Sequence, residues 1–289
     1  MSATIKLERK HFPVLLNELI SIISPLYGGT FIDCTFGQGG YSKKILENSK
    51  NKIIALDRDR DVHLYANELE KKYQNKFKFK NIKFSHINKL NLVKENIKGI
   101  VFDLGYSINQ ISDLKKGLSF KSKGKLDMRM GINDFTCHDV ISNLNENNLN
   151  KIFKFFGDEK YSKNIARKIV KMRELKLLNT EDLVEIIEGI KKFNNPKINN
   201  STKVFQALRI FVNKEISELI DGLINAFEVL PVGGIIAVIS FHSLEDKIVK
   251  FFFKHYSENK NTSRYIPNKK KNFKCFKLIN KKPITPSLE

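Results

Sequence analysis

At 289 residues, 41% hydrophobic and 28% charged, the chain has the proportions of a globular protein with a real core, in one large domain or two modest ones. No apolar run approaches the roughly 18–20 residues that span a bilayer. The N-terminal MSATIKLERKHFPVLL lacks a signal-peptide core and cleavage site, so a cytoplasmic protein without a membrane partner is expected. Cys34, Cys137 and Cys275 are an odd set with no CxxC or zinc spacing, so neither a disulfide framework nor a metal is expected. Fifty-one basic residues against 31 acidic ones give +20, a balance that points to a polyanionic partner. Only eight of the basic residues are Arg, and Asn and Ile are abundant. Composition drift in an AT-rich genome favours Lys over Arg, but it does not by itself create an excess over acids.

In chain order, HFPVLLNELISII (11–23) places apolar residues at helical spacing until Pro25 and Gly28-Gly29 end it. TFIDC (30–34) reads as a short buried strand with Cys34 as a buried thiol, and a glycine loop then leads into a helix around 42–48. KIIALD (52–57) is a second strand, followed by a polar helix near 61–73, in which Asp59 and Asp61 read as solvated helix-start acids. FKFKNIKFSHI (77–87) alternates like a strand or hairpin, and IKGIVFDLG (97–105) is a buried strand. From about Asp113 to Val204 helical periodicity takes over, most clearly at 147–157, 161–175 and 180–193, with Thr180 as the expected cap of the last. The Asn-rich FNNPKINNSTK (193–203) reads as a loop. A long amphipathic helix, whole or broken, covers 204–230; GGIIAVISF (233–241) is a strand and 242–256 a helix whose start, Ser243-x-x-Asp246, resembles a capping box. The final FKCFKLINKKPI (273–284) alternates as a strand. The fold class is therefore α/β, a doubly wound Rossmann-like parallel sheet interrupted by a helical insertion.

Asp33, Asp57 and Asp103 fall at the carboxyl ends of three strands, where an open α/β sheet binds its ligand, and Gly37, Gly39 and Gly40 follow the first of them. An acid at the end of the second strand can accept both ribose hydroxyls, which suits a dinucleotide or S-adenosylmethionine. Gly37-Gln38-Gly39-Gly40-Tyr41-Ser42 has Ser where a dinucleotide fingerprint has its third glycine. Asp33 beside a pyrophosphate would repel it, whereas the methionine end of S-adenosylmethionine carries an ammonium that an acid attracts and a carboxylate that loop amides can bind. The long polar segment DLGYSINQISDLKKGLSFKSKGKLDMRM (103–130) exceeds the length of an ordinary connection and reads as functional.

The stretches HFPVLLNE, DCTFGQGGYS, IALDRD, DLGYSINQ, GLSF, LDMRM, FQALRI-VN-E, ISFHSLEDKIVK and KKPITPS run in order through nearly the whole chain. In them the chain resembles the bacterial 16S rRNA (cytosine-N4)-methyltransferase family, which methylates a decoding-centre cytosine. The resemblance implies a class I methyltransferase sheet with an inserted helical domain, S-adenosyl-L-methionine as cofactor and 16S rRNA of the small ribosomal subunit as partner. It divides the chain into a cofactor-binding domain, 1–112 and 205–289, and an inserted substrate-recognition domain, 113–204. It places cofactor contacts on Gly39, Gly40, Tyr41, Asp57, Lys89, Asp103 and Gln110. Tyr41 stands where the family usually has His, Lys89 where it has Phe, and Tyr106-Ser107-Ile108 where it has Val-Ser-Ser. Asn200-Ser201-Thr202-Lys203 replaces a His-Pro-Ala-Thr/Lys-Arg pattern, and the sequence ends at Glu289 where relatives continue into a basic strand.

Methyl transfer to an exocyclic amine requires alignment of the nitrogen with the methyl group and an acceptor for the amine hydrogens. Asp103, with the backbone carbonyls of Leu104–Tyr106, is the candidate acceptor. A cytosine extruded from its stack is read by aromatic stacking, for which Tyr106 and Phe120 are candidates, Phe120 more readily as core. Arg129, Lys203, Arg209 and the tail Lys269-Lys270-Lys271 are candidates for phosphate contacts, with Tyr265, Phe273 and Phe276 interleaved in that tail. His242 follows a strand end and could line a pocket, while Ser243 is the expected helix cap. The alternative reading is a non-catalytic RNA-binding protein with a decayed methyltransferase site.

Overall fold

The computed structural model describes residues 13–90, 92, 96–107, 110–111, 113–131, 133–191, 199–257 and 276–286. The chain forms two compact units, one of Met1–Asp57, Val62–Leu104 and Ile220–Glu289, the other of Arg58–Asp61 and Gly105–Leu219. No helix among the described residues is long and apolar enough to cross a membrane.

The first unit is built on β1 (Gly29–Asp33), β2 (Asn51–Leu56), β3 (Phe77–Lys80), β4 (Ile97–Asp103) and β5 (Ile235–Ile239), all paired in parallel in the order β3-β2-β1-β4-β5. Parallel strands covered on both faces have no polar alternation. That is why Phe31-Ile32 and Ile100-Val101-Phe102 are apolar on successive residues, and all five are buried. After β3 the chain crosses to the other side of β1, so the strand order reverses between β1 and β4. An α/β sheet places its ligand at that reversal, outside the carboxyl ends of the strands. The flanking helices are α1 (Leu16–Ile23), α2 (Gly40–Leu46) and α3 (His63–Lys72). Leu19, Ile23, Ile45, Ala66 and Leu69 bury their apolar stripe against the strands.

The second unit is helical: α4 (Cys137–Asn143), α5 (Glu146–Gly157), α6 (Ser162–Arg173), α7 (Thr180–Ile190) and α8 (Thr202–Val212) surround a core that includes Leu149, Phe153, Ile169, Leu183 and Leu208. α9 (Glu215–Val229) begins here and continues into the first unit, and α10 (Ser243–Ser257) closes the sequence of helices. The long 204–230 helix is indeed broken. Asn213 and Lys214 separate α8 from α9, Lys214 taking a left-handed φ of 51° that ends the first helix.

Several expectations change. The strand expected over 77–87 stops at Lys80, and Phe84–Lys89 is a 3-10 turn instead. Asn81 causes the stop, since its side-chain amide donates to the Asp57 carbonyl (2.8 Å) and bends the chain off the sheet. The cap of α7 is Asn179, not Thr180; Asn179 and Asp182 exchange hydrogen bonds in a capping box. At the start of α10 the carboxylate reaching back is Glu245, which accepts from the Phe241 amide (2.9 Å), while Asp246 pairs with Lys250. Residues 276–284 form no strand. The rest of that expected strand, with Cys275, Lys269-Lys270-Lys271, Tyr265 and Phe273, lies outside the described residues, as do His11 and most of the Asn-rich loop.

The polar segment before α4 has little regular structure, so side chains must satisfy its backbone. Asn213 does much of this. Fully buried, its amide donates to the carbonyls of Met128 (2.8 Å) and Arg209 (2.9 Å). Its side-chain oxygen accepts from the Met130 amide (2.7 Å) and the Asn133 side chain (2.6 Å). Asn213→Ala would strand the Met128 carbonyl and the Met130 amide in the interior. A loss of about 2–4 kcal/mol is expected, since each unsatisfied buried group costs about 1–3 kcal/mol. Urea unfolding checks this, and an unchanged midpoint would contradict it.

Candidate active site

In the first unit the glycine loop is organised around Asp33, which ends β1 and is completely buried. Its Oδ2 accepts from the Ser42 hydroxyl (2.6 Å) and its Oδ1 from the Thr35 amide (3.3 Å). Ser42, the residue in place of a third glycine, therefore ties α2 back to the end of β1. Asp33 is thus a loop anchor rather than an open partner for a ligand ammonium. Burial outweighs these hydrogen bonds and pushes its pKa up to about 6.

Thr35 also accepts, through its hydroxyl, the Asp103 amide at 2.6 Å, so the loop is hooked onto the end of β4. Gly37 donates its amide to the Asp57 carboxylate (2.9 Å), which fixes the loop against the end of β2. Gly39 caps α2 with φ 75°, a conformation that L-residues seldom adopt, and a Cβ there would meet the Phe36 ring at 2.6 Å. Gly40 opens the helix. The Tyr41 ring is buried, its hydroxyl donating to the Val14 carbonyl (2.5 Å), and burial together with Asp103 and Asp33 pushes its pKa up. With its side chain engaged in this way, Tyr41 offers its backbone rather than its ring to the loop. Lys89 ends the 3-10 turn and is exposed.

Asp103 is the chemically distinctive group. Its Oδ1 is buried and has no hydrogen-bond partner among the described residues. Burial, then the neighbouring Asp33 and Glu245 carboxylates, raises its pKa to about 7. Glu245 is itself buried, with His242 Nε2 3.1 Å from its Oε1, so His242 is engaged at the start of α10.

In the second unit Gln110 is nearly buried. Its side-chain amide donates to Asp59 Oδ2 (2.6 Å), and its oxygen accepts from the Ser107 amide (3.0 Å). Asp59 is not the solvated acid its surroundings in sequence imply, because it is buried between Gln110 and Lys116, whose ammonium lies 3.5 Å away. Asp61 is the exposed one, and it pairs with the same lysine at 2.5 Å. Burial alone would lower Lys116, but Asp61, Asp59 and Asp113 together hold its pKa above the usual value. Gly131, at φ 82°, lies so close to the Arg58 carbonyl that a Cβ would stand 2.0 Å away, which seats the DRD stretch against the end of LDMRM.

Of the candidate phosphate contacts, Arg129 forks onto Asp127 (2.7 and 2.9 Å) with its side chain 40% exposed. Lys203 donates to the Asp158 carbonyl at 2.8 Å and is equally exposed, at 40%. Arg209 is buried and bidentate to Glu215 (2.9 and 2.9 Å), with its guanidinium 4.8 Å from the centre of the Tyr106 ring. Phe120 packs edge-on to Phe205 beside the helical core, as the core reading expects. Cys34 and Cys137 are buried free thiols. Sequence reasoning gave Asn213, Glu215 and Thr35 no role. The signal for Asn213 was an amide in the midst of an apolar helical pattern.

A glycine turn, an acid at the end of β2, and a buried, unpartnered carboxylate oxygen at the end of β4 suit S-adenosylmethionine. Its ribose and ammonium need acceptors and its carboxylate needs amides. Residues 8–289 match the MraW methylase family. The chain belongs to that family. It is 38% identical to "Ribosomal RNA small subunit methyltransferase H" of Ehrlichia canis (strain Jake), over 96% of this chain and 93% of that one. It is 40% identical to the protein of the same name from Rickettsia bellii (strain OSU 85-389), over 87% and 83%, and 41% identical to that from Rickettsia massiliae (strain Mtu5), over 86% and 81%. The family resemblance drawn from LDMRM, SFHSLED and the glycine loop is therefore sound, and members of this family use S-adenosyl-L-methionine.

The raised pKa of Asp103 has a stability consequence. The folded state keeps its proton up to about pH 7 while the unfolded state loses it near 4, so stability falls as pH rises through that window. Asp103→Asn is therefore expected to be more stable than the parent at pH 8, by on the order of 4 kcal/mol at about 1.4 kcal/mol per pKa unit, with the two converging near pH 4. Thermal melts across that range measure it. A variant less stable at pH 8 would overturn it.

Proposed function

We propose that this protein is an S-adenosylmethionine-dependent methyltransferase that modifies the exocyclic N4 of a decoding-centre cytosine in 16S rRNA of the small ribosomal subunit, acting in the cytoplasm. The observation that carries the mechanism is the buried Asp103 Oδ1 with no described partner at the sheet's reversal point. When bound, S-adenosylmethionine supplies a methyl group made electrophilic by its sulfonium.

The chain's own residues do the rest. Asp57, already held by Gly37, accepts from the ribose hydroxyls, and the backbone of Gly39, Gly40 and Tyr41 receives the methionine end. Lys89 and Gln110 complete the cofactor contacts, Gln110 with its amide oriented by Asp59. The cytosine amine has its lone pair delocalised into the ring. Asp103, once ionised, accepts a hydrogen bond from that amine, localising the pair and aiming it at the methyl group. Because Asp103 has a raised pKa, the rate should rise with pH through about 7 and then level. The helical unit is the substrate-recognition part, and Arg129 and Lys203, both partly exposed, are its phosphate contacts.

Labelled methyl transfer to small subunits from a strain lacking the modification, with nuclease mapping of the product, tests the reading. Incorporation at a single cytosine is expected, and no incorporation by a chain that binds cofactor would refute it. Asp103→Asn should lower kcat by about 100-fold or more, the usual worth of a positioned acid–base group. If that variant binds cofactor normally and methylates at the parent rate, Asp103 is not the acceptor. Asp57→Ala should instead weaken cofactor binding in calorimetry by about tenfold, the loss of one or two hydrogen bonds to a charged group.

A further inference from the structure

Tyr106 is unusual among the aromatic residues of the helical unit because it is 47% exposed while a buried cation lies against its ring and the next residue is hydrogen-bonded in place. Beneath one face lies the Arg209 guanidinium, 4.8 Å from the ring centre. Arg209 cannot swing away, because it is buried and clamped in a bidentate pair with Glu215 at 2.9 Å on both arms. The backbone is held as well. Gly105, at φ 102°, sets the turn just before the ring. Ser107, just after it, exchanges two hydrogen bonds with Gln110: its amide donates to Oε1 (3.0 Å) and its hydroxyl accepts the Gln110 amide (3.3 Å). Gln110 is itself locked onto buried Asp59. An exposed ring normally wanders between rotamers, and a binding partner must then bear the entropy of fixing it. Here the braced backbone and the fixed guanidinium against the ring reduce that cost.

We infer that Tyr106 is the stacking platform for the extruded cytosine, and that Arg209 and Glu215 are positioning residues that hold the platform rather than phosphate contacts. The inference rests on the methyltransferase reading above and adds the residue that selects a flat, unstacked base. Three points favour it. An aromatic face is what an unpaired base requires, and every base has a π-face to offer. A cation behind the ring engages one face only, through the ring quadrupole, and leaves the other for a ligand. The position follows Asp103 by only three residues in the chain, so the covalent backbone itself limits how far the platform can stand from the proposed amine acceptor. A phosphate role for Arg209 would require breaking a buried bidentate pair and leaving Glu215 buried and unpaired, which is strongly unfavourable.

Tyr106→Val, Tyr106→Phe and Arg209→Met, each in the full chain, are compared for methyl transfer to unmodified small subunits, with calorimetric cofactor binding measured in parallel. Tyr106→Val should raise KM for subunits about tenfold, the worth of one base–aromatic stack, with cofactor affinity unchanged. Tyr106→Phe, which keeps the face, should restore KM to within about twofold of the parent, a rescue that a merely structural role for the hydroxyl would not give. Arg209→Met should raise KM in the same direction, and combining it with Tyr106→Val should add little, because both remove one platform. Should Arg209→Met fail to fold, Glu215→Gln serves in its place. An active parent with an unchanged KM in Tyr106→Val, or a Tyr106→Phe variant as impaired as the Val one, overturns this inference alone. A parent that transfers no methyl group overturns the function reading and this inference with it.

Discussion

Two carboxylates, the buried Asp33 and the partly buried Asp103, stand at the ends of neighbouring parallel strands, and the architecture of the glycine loop depends on how they are accommodated. Charge in that position is expensive. Burial raises both pKa values, to about 6 and about 7, and the Asp33 carboxylate is the second cause, after desolvation, for Asp103. The chain handles the two differently. Asp33 is satisfied by Ser42 and Thr35, so its unfavourable burial is exchanged for a fixed turn between β1 and α2. Asp103 keeps one oxygen unsatisfied. A structure selected for stability alone would have an amide or apolar residue there, and the stability lost at neutral pH is what the proposed acceptor role would account for. Thr35 joins the two through the Asp103 backbone, and so one acid's hydrogen bonds help to place the other.

The helical unit solves the opposite problem. Its loops from Gly105 to Gly131 carry much polar backbone and little regular structure, yet they must hold side chains in register. Asn213 supplies from one position what a strand or helix would supply by repetition, bridging LDMRM to the end of α8. Arg58 adds a second tie, donating to the Asn213 carbonyl (2.9 Å) and to the Asn133 side chain. A loop braced in this way can be long without being loose, which is what a binding segment on a rigid scaffold needs.

Much of this was legible in the sequence. Short apolar runs ending in Asp read correctly as β1 and β4, and the helical stretch after Asp113 was recognised from its periodicity. What failed were features decided by partners far away along the chain. Asp59 looks solvated in DRDRD, but Gln110, 51 positions on, and Lys116 lie against it. Arg58 finds Asn213 across 155 positions. The alternation Phe77-Lys78-Phe79-Lys80 continues in pattern toward Phe84, but Asn81 bonds to the Asp57 carbonyl and ends the strand, and periodicity does not register a single side-chain bond. The caps failed for a related reason, since Asn179 and Thr180, or Asp246 and Glu245, are chemically near-equivalent and only geometry chooses between them.

The +20 balance was the first sign of a polyanionic partner, yet it locates no surface, because Arg129, Lys203 and Arg209, the described basic residues singled out from it, already have partners. Their partners differ in kind. Lys203 faces the Asp158 carboxylate at 3.7 Å with both side chains open to water, and Arg129 shares Asp127 while 40% exposed. Such pairs are worth about 0–1 kcal/mol, so a phosphate can replace the carboxylate at little loss. Arg209 and Glu215 are nearly dry, at 9% and 13%, and separating them would strand a charge in the interior. In the proposed reading the surface pairs are exchangeable sites that would supply affinity and its salt dependence, while the buried pair supplies shape. Exposure of the ion pair, rather than the charge of the residue, decides which of these cations a phosphate could recruit at little loss.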